Sequence, residues 1–137
     1  MTAITKDDSA AINSSADIVR VRQIVRDFAV SLGFSLVEQT KIVTAASELA
    51  RNAVEHGGGG NVQIQVLNNA MRRGLKLTFS DNGPGIPDLE QALKDGFTTG
   101  GGMGLGLGGA KRLVNEFEID SAPGRGTKVM ITRWRNA

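Results

Sequence analysis

At the four consecutive glycines Gly57–Gly60 the hydrophobic pattern changes from helical spacing to strict alternation, and few architectures accommodate that change. Before the glycines, Ile18, Val21, Ile24, Val25, Phe28, Ala29 and Leu32 recur on one helical face from Ala16, with Gly33 placed as the stop. Ser35 and Glu38 then form a capping box, and Ile42, Val43, Ala46, Leu49, Ala50 and Ala53 carry a second helix to His56. After the glycines, Val62, Ile64 and Val66 alternate with Gln63 and Gln65, while Leu75, Leu77 and Phe79 alternate with Lys76, Thr78 and Ser80. The turn residues of Asn68–Gly74 lie between these runs, which predicts a hairpin.

Downstream, Asp88–Lys94 predicts a short helix, and Leu105–Phe117 predicts a longer one opening out of a second glycine cluster. Phe117–Ser121 and Thr127–Trp134 read as strands around the turn Ala122-Pro-Gly-Arg-Gly126. Residues 1–10 are small, polar and charged, and are expected to form a loose arm ahead of a short edge strand near Ala11–Ser14. The order β-α-α-β-β-loop-α-β-β implies a two-layer α/β sandwich, with helices gathered on one face of a mixed β-sheet.

Composition narrows the class. With 137 residues, 40% hydrophobic and 22% charged, a single globular domain over 1–137 is expected. The absence of cysteine removes disulfides, thiolate metal sites and cysteine nucleophiles. A net charge of +2 and 4% aromatic residues argue against nucleic acid as the main partner. No apolar run approaches the ~20 residues that span a bilayer, and residues 1–15 lack a signal-peptide core, so no membrane and a cytoplasmic location are expected.

Glycine-rich segments that open a helix favour phosphate, since exposed N–H groups and the helix dipole attract anions. A P-loop is excluded because no Gly-Lys-Ser/Thr occurs. The dinucleotide fingerprint matches as Gly104-Leu-Gly106-Leu-Gly-Gly109, but the segment before it is loop where that fold requires a strand. Glu48 and Asn52 are separated by one helical turn and share a face, which suits either a common ligand or a solvated surface shared with Arg51. An amide oxygen at Asn52 suits a hard cation such as Mg²⁺, and Glu48 suits a proton acceptor. Asp81 ends a strand, where aspartate serves as a turn residue or as an acceptor for a ligand amino group. His56 fits the role of a cation at a helix C-terminus better than that of a ligand.

Four ordered segments resemble the conserved boxes of the GHKL ATPase superfamily: Glu48-Leu-Ala-Arg-Asn52-Ala-Val-Glu-His56, Asp81-Asn-Gly-Pro-Gly85, Gly102-Met-Gly104-Leu-Gly106-Leu107 and Gly124-Arg-Gly126-Thr127. The resemblance implies an ATP–Mg²⁺ site of the Bergerat type. In it, Glu48 is catalytic, Asn52 holds the metal, and Asp81 reads adenine with help from Thr127. Gly83, Gly85 and Ile86 would line the base, and Gly102, Gly104, Leu105 and Gly106 would meet the phosphates from a mobile lid. Thr127 on its own reads equally well as an ordinary strand threonine.

Longer runs, among them Ile18-Val-Arg-Val-Arg22, Asp95-Gly-Phe-Thr-Thr-Gly100 and Lys111-Arg-Leu-Val-Asn-Glu-Phe117, resemble the RsbT-type switch kinases. The likeness to that group exceeds the likeness to the anti-sigma kinases related to RsbW and SpoIIAB. It implies a serine/threonine kinase acting on STAS-domain antagonist proteins within a large stress-signalling complex, and activating a PP2C-type phosphatase on release. An anti-sigma factor kinase and a non-catalytic ATP-gated adaptor are the alternatives.

Overall fold

The computed structural model describes residues 2–93, 98–99, 103–104 and 106–136. β1 (Ala3–Ile12) leads into α1 (Ser15–Ser31) and α2 (Leu36–Glu55), followed by the hairpin β2 (Gly60–Asn68) and β3 (Arg73–Asp81). Then come the single turn α3 (Leu89–Ala92), the short pair β4 (Thr98–Thr99) and β5 (Met103–Gly104), α4 (Leu107–Arg112), β6 (Glu116–Ser121) and β7 (Thr127–Trp134).

The two long helices start where side chains satisfy their free N–H groups. Ser14 Oγ accepts the Asp17 N–H at the start of α1, and Ser35 and Glu38 form the expected reciprocal box at the start of α2. Gly33 takes a positive φ of 81° just past α1, a conformation that costs glycine little.

The five main strands form one sheet in the order β1-β2-β3-β7-β6. α1 and α2 pack together on it, and α4 packs on α2. Ile12, Val21, Val25, Ile42, Val62, Ile64, Leu75, Leu77, Leu107 and Ile131 are fully enclosed between the layers. Each such side chain contributes roughly 1.5–3 kcal/mol on burial.

The two-layer α/β sandwich is as expected, with three corrections. The sheet is antiparallel throughout the described pairings rather than mixed, because the connection from β3 delivers β6 to the outer side of β7. The loose arm is instead a strand: nearly all of residues 1–10 belong to β1, which pairs with β2 from Ala3↔Asn68 to Ile12↔Gly60 across one bulge. Its polarity reflects an exposed edge position, with Asp7 accepting hydrogen bonds from Gln63 and Gln65. The last helix also stops at Arg112, sooner than its apolar pattern suggested, because Phe117 belongs to the alternating face of β6. No helix among the described residues is long and apolar enough to cross a membrane.

Candidate nucleotide-binding cleft

Strand register builds the first half of the site. Asp81 lies opposite Gly60 on β2 and opposite Thr127 on β7, and Thr127 lies opposite Ser121 on β6. Residues two apart share a face, so Asp81 follows Phe79, and Thr127 precedes Val129, on the side the helices cover. Helical spacing builds the second half: Leu49, Asn52, Ala53 and His56 share one stripe of α2. Between them lies a cleft of about 370 Å³, bordered also by Pro84–Asp88 and Leu107. Its walls are mainly apolar with a few convergent polar groups, the usual character of a small-molecule site.

Asp81 is held on both sides. Its Oδ1 accepts the Gly83 N–H at 2.9 Å. Gly57, just beyond α2, packs so closely that a Cβ there would overlap the Asp81 carboxyl group. Gly83 in turn lies against Gly57, where an added Cβ would stand 2.6 Å from the Gly57 Cα. Gly83 therefore fixes the carboxylate, while Gly85 and Ile86 line the cleft.

Two loops interlock at this end. The Gly124 N–H donates to the Pro84 carbonyl at 2.7 Å, and the Ile86 N–H donates to Ser121 Oγ at 2.8 Å. Ser121 Oγ also donates to the Gly126 carbonyl at 3.0 Å and lies 2.8 Å from Thr127 Oγ1. A hydroxyl has one proton and two acceptor positions. With its proton on Gly126, Ser121 receives the Thr127 hydroxyl proton, which leaves the Thr127 lone pairs as acceptors. Gly126 cannot carry a side chain here: its φ is +75°, and a Cβ would overlap the Asp81 carbonyl oxygen.

On α2, the carbonyl of Asn52 accepts the His56 N–H at 2.9 Å and the Gly57 N–H at 3.1 Å, closing the helix beside the cleft. One turn earlier, Glu48 Oε1 accepts from Arg51 at 2.9 Å, with the Glu48 side chain 35% exposed. Its Oε2 faces Gly106 at the start of α4, where an added Cβ would stand 2.5 Å away. Glu48 thus lies beyond the cleft wall that contains Asn52. Among the described residues, no cluster of three His, Cys, Asp or Glu forms a metal cage. Asn52 fits only an ion that brings most of its own ligands, as Mg²⁺ on a triphosphate does.

Of the residues singled out from sequence, the cleft brings together Asn52, Asp81, Gly85, Ile86 and Thr127. Gly83 stands behind Asp81, and Glu48 and Gly106 meet at the far rim. Gly104 pairs with Thr98 in the β4–β5 hairpin, and Gly102 and Leu105 lie outside the described residues.

Sequence reasoning missed Ser121 and the lining role of His56. The signals were the hairpin partner of Thr127 and the position one helical turn beyond Asn52. His56 is the C-cap residue of α2 through its backbone N–H, and its Nε2 is buried without a hydrogen-bond partner. Arg51, read as a solvated residue, holds Glu48.

Residues 37–136 match the family model of the histidine kinase-, DNA gyrase B- and HSP90-like ATPases. The chain is 46% identical to serine/threonine-protein kinase RsbT of Bacillus subtilis, with 86% of this chain and 89% of that protein covered. It is 34% identical to an anti-sigma F factor of Thermoanaerobacter, with 82% of each chain covered. A solved structure of the RsbU and RsbW domains of a Mycobacterium tuberculosis protein superposes with a TM-score of 0.68 at 23% identity, over 97% of this chain and 34% of that one.

Proposed function

Since the chain belongs to the histidine kinase-, DNA gyrase B- and HSP90-like ATPase family and is an RsbT-like serine/threonine-protein kinase, we propose that it transfers the γ-phosphate of ATP to a serine or threonine of STAS-domain antagonist proteins. The observation that carries this reading is the convergence on one apolar cleft of Asp81 and Thr127 from the sheet and Asn52 from α2.

At the sheet end, Asp81 and Thr127 present acceptors to the adenine amino group. Phe79, Ile86 and Val129 offer apolar surface to the faces of the base. Along α2, the Asn52 amide oxygen supplies one ligand to Mg²⁺. When bound, that ion neutralises charge on the phosphoryl oxygens. Glu48, oriented by Arg51, takes the proton of the attacking hydroxyl. Gly102, Gly104, Leu105 and Gly106 offer main-chain N–H groups to the triphosphate. Once released from a large stress-signalling complex in the cytoplasm, the kinase binds and activates a PP2C-type phosphatase.

The test incubates the protein with labelled ATP and a STAS protein encoded beside it. Label on the STAS protein that disappears with Glu48→Ala supports the proposal. ATP uptake without transfer points instead to a nucleotide-gated adaptor. The likeness to anti-sigma F factors favours one second reading, direct grip of a sigma factor. Retention of sigma rather than STAS protein and phosphatase in a pull-down selects it.

A further inference from the structure

Three arginines line the end of the sheet opposite the nucleotide cleft. Arg72 lies on the β2–β3 turn, Arg73 at the start of β3 and Arg135 just beyond β7, around a recess of about 330 Å³. All three are exposed. The ion pairs among the described residues, Arg20–Asp17 and Arg51–Glu48, involve none of them. Two nearby carboxylates are already engaged: Glu116 accepts the Trp134 indole N–H at 2.6 Å, and Glu38 accepts the Asn136 N–H at 2.7 Å.

The recess is organised in advance. Asn69 Oδ1 accepts the N–H groups of Met71 and Arg72, both at 2.9 Å, which fixes the turn. The Arg135 N–H donates to the Arg73 carbonyl at 2.8 Å, tying the tail to the hairpin. The Arg72 guanidinium stacks over Trp134 at 5.3 Å from the ring centre. Guanidiniums, of which Arg72's is held by this stacking, suit carboxylates, which they engage through paired hydrogen bonds. Met71, 89% exposed at the tip of the turn, adds an apolar contact that a bare inorganic anion cannot use.

We propose that this arginine-lined recess is a docking site for an acidic segment of a protein partner, one that carries an apolar side chain among its carboxylates. The site is distinct from the nucleotide cleft and does not depend on its chemistry.

Trp134, the sole tryptophan, lies beneath Arg72 and reports occupancy by its fluorescence. The full chain is titrated with a synthetic peptide rich in Asp and Glu and carrying Leu, and separately with inorganic phosphate. A saturable change with the peptide is expected, several-fold weaker at high salt. It should weaken at least ~10-fold in Arg73→Glu/Arg135→Glu and to a smaller degree in Arg73→Gln. ATP uptake by both variants should stay at the parental level, which also shows that they are folded. An absent response, an equal response to phosphate, or undiminished binding by the variants would overturn the proposal. Each of these results leaves the assignment of the nucleotide cleft untouched.

Discussion

Ser121 Oγ lies 2.8 Å from Thr127 Oγ1, with the two residues facing each other across the β6–β7 hairpin. The same oxygen fastens Ile86, so one hydroxyl positions both the strand and the loop side of the cleft. Ser121→Ala is expected to weaken ATP binding by about 1–2 kcal/mol, or roughly ten-fold in Kd. Ser121→Thr should recover part of that loss. Calorimetry of the two variants decides it, and unchanged affinity in Ser121→Ala refutes the positioning role.

Thr127 and Asp81 both present acceptors, which match an exocyclic amino group and repel a carbonyl. ATP should therefore bind at least ~10-fold more tightly than inosine triphosphate, which carries an oxygen where adenine carries the amino group. Competition against a fluorescent ATP analogue measures the ratio, and a ratio near unity removes the acceptor assignment.

Asp81→Asn keeps an oxygen able to accept the Gly83 N–H, so the local turn should survive. The variant should lose at least ~10-fold in ATP affinity with little change in thermal stability. A large fall in Tm with ATP affinity intact would mean that Asp81 serves the fold alone.

Glu48→Gln removes the proposed proton acceptor and leaves a side chain of the same length beside Arg51. Phosphate transfer should fall by about 10²–10⁴-fold while ATP binding holds. Single-turnover transfer and equilibrium binding, measured on the same preparation, separate those effects. Transfer within a few-fold of the parent would exclude Glu48 as the base.

Glu38 is 3% exposed and links the start of α2 to the end of the chain. Burial alone would raise its carboxyl, but hydrogen bonds from Ser35 and Asn136, with the Arg133 guanidinium, hold it below the ordinary carboxylate value. A depressed folded-state value stabilises above the unfolded pKa, and the contribution is lost as pH falls through the folded one. Urea denaturation should show stability falling below about pH 4.5, the region where free glutamate titrates. Glu38→Gln should flatten that acid limb and cost about 1–3 kcal/mol near neutrality. An acid limb of unchanged slope would reassign it to other carboxylates.

What the sequence disclosed followed from periodicity and capping. α1, α2 and the β2–β3 hairpin were legible because their apolar residues keep strict spacing and Ser35–Glu38 marks a start. β1 was not, because its exposed edge position lets polar residues occupy a strand, and only pairing with β2 reveals it. In the cleft, Asn52, Asp81 and Thr127 stood out by residue type and by the boxes around them. The adjacency of Asp81 and Thr127 rests on their register, which depends on β7 sitting between β3 and β6. Ser121 was hidden for the same reason, being an unremarkable strand serine until the hairpin places it beside Thr127.

The clasp between Pro84–Ile86 and Ser121–Gly124 closes the base of a long excursion, since Ile86 and Ser121 are 35 residues apart in sequence. Lengthening a loop whose ends are already pinned costs little additional entropy. Chain can therefore be added or trimmed between α3 and α4 with the clasp left in place. That stretch can vary while the clasp keeps the same cleft wall, and an engineer grafting a sensor segment would choose it first.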